Sequence, residues 1–135
     1  MPKIDTTRRI AIEVSGETVT FICRVPTGDE QSKFLNSRFT TKRNKVESNV
    51  YPARAAFIDN IAVDVEGATF VDAQGAEKPL NASTSFTDAD KAKWAKALGL
   101  RSIDSWKDLI PLSWKSSAAQ QFEDSANAGE DDGKN

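Results

Sequence analysis

The stretch that decides the fold is residues 9–25, which read Arg-Ile-Ala-Ile-Glu-Val-Ser-Gly-Glu-Thr-Val-Thr-Phe-Ile-Cys-Arg-Val. Apolar residues recur at every second position on both sides of Gly16, and this period is typical of half-buried β-strands. A type II′ turn takes glycine at its first central position, so we place Gly16 and Glu17 at the centre of a two-residue turn. The resulting hairpin is predicted to pair Val14 with Val19, Ile12 with Phe21, and Ile10 with Cys23.

The apolar face of this hairpin must be covered, because an isolated two-stranded ribbon is only marginally stable. Cys23 lies on that face, and we interpret it as a small buried side chain and not as a reactive thiol. The next segment, Thr27-Gly28-Asp29-Glu30, matches a capping box. It predicts a helix over about 28–39 that covers the sheet with Phe34, Leu35 and Phe39.

The middle of the chain predicts a second helix after a polar, basic segment. Residues 40–45 are interpreted as a loop or a frayed helix end. Pro52 suits the first position of a helix, and a helix over about 52–63 would place Phe57, Ile58 and Ile61 on one stripe. Over residues 61–66 the pattern allows either continued helix or a short strand, and the spacing alone does not choose between them.

The C-terminal half predicts three more helices after a turn-rich segment, 67–81. Thr87 can cap a helix over 88–98 whose end is marked by Gly99. Its Trp94, Ala97 and Leu98 are predicted to share one face. Pro111 separates a helix over about 103–110, capped by Ser102, from a helix over about 112–125.

These elements together predict an α+β fold. An N-terminal β-hairpin would pack against helices within one domain, residues 1–126, whose C-terminal half is mainly helical. Residues 127–135 contain acidic residues and glycines but no large apolar side chain. Such a segment buries too little surface to offset its ordering entropy, so we predict a disordered acidic tail.

Composition argues against several classes of enzyme and metal protein. The 135 residues include no histidine and one cysteine, and the net charge is −2. Imidazole acid–base chemistry, Ser–His or Cys–His nucleophiles and thiolate zinc sites therefore have no residues to use. We expect no enzyme activity, no cofactor and no metal site. No apolar run approaches a membrane span, and residues 1–5 do not read as a signal peptide, so we expect a cytoplasmic protein.

Several acidic groups resemble functional sites but are better explained by turns and caps. Asp64 and Glu66 would share a strand face, and Asp88 and Asp90 lie at a helix start, where capping accounts for them. Asp72, Gln74 and Glu77 surround Gly75, as in a calcium loop. The glycine falls at position 4 instead of 6, and Ser83 stands at position 12, so a turn is the better interpretation.

Aromatic and basic residues are the best candidates for binding a partner. Three tryptophans lie within 21 residues. Their spacing indicates that most of each ring is core, and Trp114, beyond the proline, is the one that we expect to be partly exposed. Basic residues cluster around 38–45, where Arg8, Arg9 and Arg54 could join them. The predicted partner-binding residues are Trp106, Trp114, Phe122, Arg38, Lys42 and Arg43.

Residues 50–135 also resemble a known family. A helix-like run at 57–62 leads into Val65-Glu66-Gly67, then Val71-Asp72-Ala73-Gln74-Gly75, then Pro79-Leu80. A tryptophan-rich helical region and a polar tail follow. This order resembles the tail assembly chaperones of long-tailed bacteriophages and prophages. The resemblance implies a non-enzymatic protein of the bacterial host cytoplasm that coats the tape-measure protein, helps to recruit tail-tube subunits and is absent from finished particles.

Other functions stay open at this point. A head–tail joining protein or a tail-tube-associated protein would be a structural component of the particle. A small nucleic-acid-binding or regulatory module could use the basic cluster at 38–45, although the overall charge does not favour nucleic acid. Self-association is also possible, because hairpin edges can pair with a second chain.

Overall fold

The computed structural model describes residues 7–37, 39–42, 45–48 and 50–133 and confirms the predicted α+β class. The strands are β1 (Thr7–Val14), β2 (Glu17–Arg24), β3 (Phe39–Lys42), β4 (Lys45–Ser48), β5 (Ala62–Glu66), β6 (Ala68–Val71) and β7 (Glu77–Leu80). The helices are α1 (Gly28–Ser37), α2 (Val50–Ile61), α3 (Asp88–Leu98) and α4 (Leu112–Gly133), with a 3₁₀ turn at Trp106–Leu109. None of the helices in these ranges is long and apolar enough to cross a bilayer.

The predicted hairpin is present, but its register differs from the prediction by two residues. Val14 pairs with Glu17, and Ile10 pairs with Phe21. The turn is Ser15-Gly16, and both residues have positive φ (53° and 81°), as a type I′ turn requires. A shift of two residues keeps every side chain on its predicted face, so the apolar face is buried as expected.

Residues 62–66 form a strand, which decides between the two alternatives at 61–66. β5 pairs antiparallel with β2, giving the sheet order β1-β2-β5. Ile22 pairs with Asp64 and Cys23 with Ala62, so Val63 has no counterpart and forms a bulge. This extra residue breaks the alternation, so Ala62 and Val65 are both buried although they are three residues apart, and Val63 between them is exposed.

α1 begins at the predicted capping box. The hydroxyl of Thr27 accepts from the amide of Glu30, and the Glu30 carboxylate accepts from the amide of Thr27. The helix ends at Ser37 and not at 39, so the prediction that Phe39 belongs to this helix was wrong. Leu35, which was predicted to cover the sheet, is exposed. Phe39 begins the hairpin β3–β4, where a loop or frayed helix was predicted. The β-branched Thr40 and Thr41 favour this strand.

The core lies between the three-stranded sheet and helices α1, α2 and α4. Phe57 stacks on Phe34 at 4.5 Å between ring centroids and meets Phe122 edge-on at 5.3 Å. Ile58 and Ile61, on the predicted stripe of α2, are fully buried. α2 begins at Val50 and not at Pro52 as predicted, but Pro52 still lies in the first turn, where its missing N–H costs no helical hydrogen bond.

The C-terminal half combines one confirmed helix with two that differ from prediction. α3 has the predicted bounds, with a capping box from Thr87 to Asp90 and a left-handed Gly99 at its end. The helix predicted over 103–110 is wrong: only Trp106–Leu109 forms a 3₁₀ turn, capped by Ser105 and not by Ser102. Pro111 disfavours helical backbone in the residue before it, so the turn cannot lengthen.

The segment between β5 and α3, and the end of the chain, also hold more regular structure than predicted. The turn-rich residues 67–81 include the hairpin β6–β7, whose turn contains Gly75 at the expected positive φ. α4 begins at Leu112 as predicted but continues to Gly133 instead of ending near 125. Helix is therefore observed over residues 127–133, where a disordered tail was predicted. Residues 134–135 lie outside the described ranges.

Candidate functional site

An apolar groove lies between the hairpin β6–β7, helix α3 and the start of α4. It encloses about 460 Å³. Most of its lining is aliphatic or aromatic, and these side chains are Phe70, Leu80, Trp94, Leu98, Leu100, Leu109, Ile110, Leu112 and Trp114. The groove therefore brings together residues from four separate segments of the C-terminal half.

Polar contacts hold α3 as one wall of this groove. The indole Nε1 of Trp94 donates to the carbonyl of Val71 at 2.8 Å, and Nζ of Lys93 donates to the carbonyl of Asp72 at 2.7 Å. Apart from Asp90, the side chains of α3 are exposed or half-buried. Trp94 and Leu98, which were predicted to share a face with Ala97, both line the groove, and Ala97 and Leu98 are exposed.

Two buried aspartates build the turn against which α3 rests. Asp72 accepts from the amides of Gln74 and Ala76, both at 2.9 Å, and its other oxygen lies 2.9 Å from Nζ of Lys78. The Lys78 ammonium, together with these amides, lowers the pKa of Asp72 to about 2. Asp90 is also buried, and the amide of Ala73, followed by that of Thr87, lowers its pKa.

The groove has a buried floor and an exposed rim. Phe70, Leu80, Leu109 and Ile110 form the floor and are almost inaccessible to water. On the rim, Leu98, Leu100 and Leu112 keep 42%, 43% and 53% of their surface exposed. The part of the chain with described side chains has seven large hydrophobic residues this exposed, and three of them surround this groove. Such clustering is typical of surfaces that bind another molecule.

The groove offers apolar contact and little acid–base chemistry. Among its described lining residues the one ionisable side chain is Asp108. Its Oδ2 accepts from the amides of Asp104 at 2.7 Å and Ser105 at 3.2 Å, which caps the 3₁₀ turn. The Asp108 carboxylate is therefore already engaged in capping the 3₁₀ turn.

The structure separates the three aromatic residues that were predicted to bind a partner. Trp114 lines the groove and is half-buried, which confirms its predicted partial exposure. Trp106 is only 8% exposed and belongs to the core. Phe122 is also buried, packed against Phe57 with the Arg8 guanidinium 4.9 Å from its ring centroid.

The basic cluster predicted at 38–45 stays a prediction. Arg38 and Arg43 lie outside the described residues, and Lys42 lies in β3 with its side chain outside them. The other arginines that could join the cluster have partners elsewhere. Arg9 pairs with Glu66, and Arg54 pairs with Glu123 at 3.2 Å.

The remaining acidic and thiol candidates have structural roles. Asp64 accepts from the amide of Ala82 at 2.9 Å, and Asp90 caps α3. Within the described ranges no three acidic or cysteine side chains are placed to hold a metal ion. Cys23 is buried as predicted, and this burial raises the pKa of its thiol to about 11.

Sequence reasoning missed the rim leucines of the groove. Leu98 and Leu100 flank Gly99, and Leu112 follows Pro111, so all three lie where a helix ends or begins. Large apolar residues beside a helix-terminating glycine or proline were the available signal.

Comparison with known proteins finds no matching family model, no matching curated protein and no matching solved structure.

Proposed function

We propose that this protein is a non-enzymatic binding protein whose apolar groove holds the apolar face of a helix in a partner protein. The observation that carries the proposal is the set of exposed leucines, Leu98, Leu100 and Leu112, around a groove that also contains the half-buried Trp114. Covering these side chains removes apolar surface from water, which favours association.

An amphipathic helix fits this groove better than an enclosed small molecule does. Small ligands are held in pockets that bury most of their surface. Here the rim leucines are about half exposed, so the groove is open to solvent and does not enclose a ligand. A helix that lays apolar residues at positions i, i+3, i+4 and i+7 into an apolar groove is a recurrent mode of recognition.

The resemblance to tail assembly chaperones supplies a specific partner for this mode. A tape-measure protein is long and helical, and its apolar stripes need cover until tail-tube subunits surround it. We therefore propose that the partner helix belongs to a tape-measure protein and that the protein acts as a chaperone in phage or prophage tail assembly. The tail-tube subunits are the second proposed partner.

Co-expression tests this function directly. Overlapping fragments of a candidate tape-measure protein are produced with and without the full chain, and the soluble fraction of each fragment is measured. We expect at least one fragment to become soluble and to co-purify with the chain. If no fragment gains solubility, the chaperone proposal is wrong. If the chain is instead found in finished particles, it is a structural component.

A matched pair of leucine variants tests the groove. Leu112→Asp introduces a charge at the rim, and we expect it to weaken fragment binding by about tenfold or more, because an apolar contact is replaced by a desolvated carboxylate. Leu35→Asp is the control, since Leu35 is similarly exposed (51%) but lies on α1, outside the groove. Equal binding by the two variants would exclude the groove as the binding surface.

A further inference from the structure

The outer edge of β1 is a long, regular strand edge. In the sheet order β1-β2-β5, β1 is an end strand, and no strand in the described ranges pairs with its outer side. Its register with β2 is continuous from Thr7 to Val14, and the strand contains no proline. β5, at the other end of the sheet, carries the bulge at Val63. Bulges and prolines block edge pairing, so β1 is the more open edge.

The turn determines which backbone groups of β1 point outward. Val14 and Glu17 flank the two-residue turn, so they form a hydrogen-bonded pair. Pairs alternate along an antiparallel ladder, so the N–H and C=O groups of even-numbered residues in β1 point to β2. Those of Arg9, Ala11 and Glu13 point away from β2, toward the open edge.

The same three residues carry a self-complementary charge pattern. Their side chains project from the exposed face of the sheet, with Arg9 and Glu13 on either side of the small Ala11. When a second β1 strand runs antiparallel with Ala11 opposite Ala11, Arg9 of each copy lies opposite Glu13 of the other. On the buried face the same alignment places Ile10 opposite Ile12. Opposite charges and apolar side chains paired in this way stabilise adjacent strands.

We infer that two copies of this chain associate by antiparallel pairing of their β1 strands about a two-fold axis at Ala11. The dimer contains one continuous sheet, made of β5, β2 and β1 from each copy. α4 contacts β1 through Phe122, beside Arg8 and Ile10, so it packs on the buried face. The interface is isologous, which is the commonest arrangement of homodimers.

Neighbouring registers lack this complementarity. Shifting the second strand by two residues places Arg9 opposite either Ala11 or Ser15 and removes both ion pairs. A shift by one residue would place Arg9, Ala11 and Glu13 opposite even-numbered residues, whose N–H and C=O groups already point to β2, so the edge hydrogen bonds would not form. The alignment at Ala11 is therefore the one that combines edge hydrogen bonds, two ion pairs and a shared apolar face.

Arg9 already pairs with Glu66 on the same exposed face, but this contact does not prevent dimerisation. Both side chains are more than half exposed, and exposed ion pairs of this kind contribute little to stability. A guanidinium has five N–H donors, so Arg9 can contact Glu66 and Glu13 of the second copy together.

The inference is independent of the proposed function, because β1 lies outside the apolar groove. If both hold, the dimer carries two grooves and binds a long partner bivalently.

Charge reversal on the full chain tests the dimer. The association state is measured by sedimentation velocity across a concentration series. Arg9→Glu places like charges opposite each other at two symmetric positions, and we expect the dimer dissociation constant to rise by about tenfold. Glu13→Arg should have a similar effect. The double variant Arg9→Glu with Glu13→Arg restores opposite charges, so we expect it to recover the dimer.

The double variant also serves as the control for Glu66. It does not restore the contact between Arg9 and Glu66, so recovery of the dimer would be specific to the pairing of residues 9 and 13. A native chain that stays monomeric across the series would overturn the inference. So would a native dimer that both single variants leave unchanged, because its interface would lie elsewhere. These results leave the solubility test of the groove unaffected.

Discussion

The carboxylate of Asp90 accepts a hydrogen bond from the amide of Ala73 at 2.7 Å, which joins the first turn of α3 to the turn between β6 and β7. Its other oxygen accepts from the amide of Thr87 at 3.1 Å and closes the capping box. One buried side chain therefore begins the helix and also attaches it to the hairpin. Since α3 is otherwise largely exposed, Asp90 positions the wall of the apolar groove.

We expect Asp90→Ala to loosen α3 without unfolding the rest of the protein. The change removes the acceptor for the amides of Ala73 and Thr87, so local opening of the helix should become easier. Hydrogen exchange of the α3 amides is expected to accelerate by about tenfold, while the amides of β2 exchange as before. Asp88→Ala is the control, because Asp88 lies in the same helical turn but is exposed. Equal acceleration by both variants would contradict this role of Asp90.

Gly67 lies against the backbone of β2. A Cβ at this position would be 2.5 Å from the carbonyl oxygen of Thr18, and φ of Gly67 is +84°. Gly75 has nearly the same φ, +85°, but a Cβ added there would meet no other part of the chain within 4 Å. Both alanine variants therefore have an unfavourable left-handed backbone, costing about 1–2 kcal/mol. Only Gly67→Ala also creates a steric clash.

We therefore expect Gly67→Ala to lower the free energy of unfolding by about 1–3 kcal/mol more than Gly75→Ala does. Urea denaturation of the two variants and the native chain measures this difference. Equal losses would show that the strand β2 moves away without cost, and the close approach of Gly67 to Thr18 would not matter for stability.

The parts of the fold that depend on local chemistry could be predicted from the sequence. Thr87, Asp90 and Gly99 define both ends of α3 through a capping box and a left-handed residue, and neither needs a distant partner. Other elements depended on competing local signals. Ser105 forms a capping box with Asp108, whereas the predicted cap, Ser102, does not. The 3₁₀ turn therefore begins later than the predicted helix, and Pro111 prevents it from extending further.

The candidate site was harder to predict, because exposure is a property of the whole fold. The proline before Trp114 indicated where a tryptophan would be left partly uncovered. Nothing in the spacing of Leu98 indicated exposure, since i, i+4 spacing with Trp94 is equally typical of a buried helix face. Whether that face is covered depends on which elements pack against α3, and here the hairpin β6–β7 contacts it through polar groups.

The buried Asp72 should make stability depend on pH in acid. Its pKa is lowered from 3.8 to about 2, chiefly by Lys78 and the amide of Ala76, so the folded state favours the ionised form. This stabilisation is present above about pH 4 and is lost as the pH falls toward 2. We expect Asp72→Asn to lower the melting temperature at neutral pH and to reduce its dependence on pH between 4 and 2. Thermal unfolding followed by circular dichroism measures both effects.

Other carboxylates titrate in the same interval, so a control is needed for Asp72. The pKa of Glu30 is lowered to about 2 by its hydrogen bonds with Arg24, and that contribution remains in the variant. Asp104→Asn removes an exposed carboxylate and should leave the profile of the native chain unchanged. A profile of Asp72→Asn that runs parallel to that of the native chain would be inconsistent with a stabilising Asp72 carboxylate.

The turn at Ser15-Gly16 predicts a stabilising substitution. Ser15 has φ of +53°, which costs a side-chain-bearing residue free energy, and asparagine tolerates this region better. Asn-Gly is also the preferred pair in type I′ turns. We expect Ser15→Asn to raise the free energy of unfolding by about 0.5–1 kcal/mol, measured by urea denaturation.

Glu17→Asn distinguishes the two possible registers. In the observed register Glu17 is the first residue of β2, where asparagine is unfavourable, so Glu17→Asn should be neutral or destabilising. In a type II′ turn at Gly16-Glu17 the opposite pattern would be measured, with Glu17→Asn stabilising and Ser15→Asn without benefit.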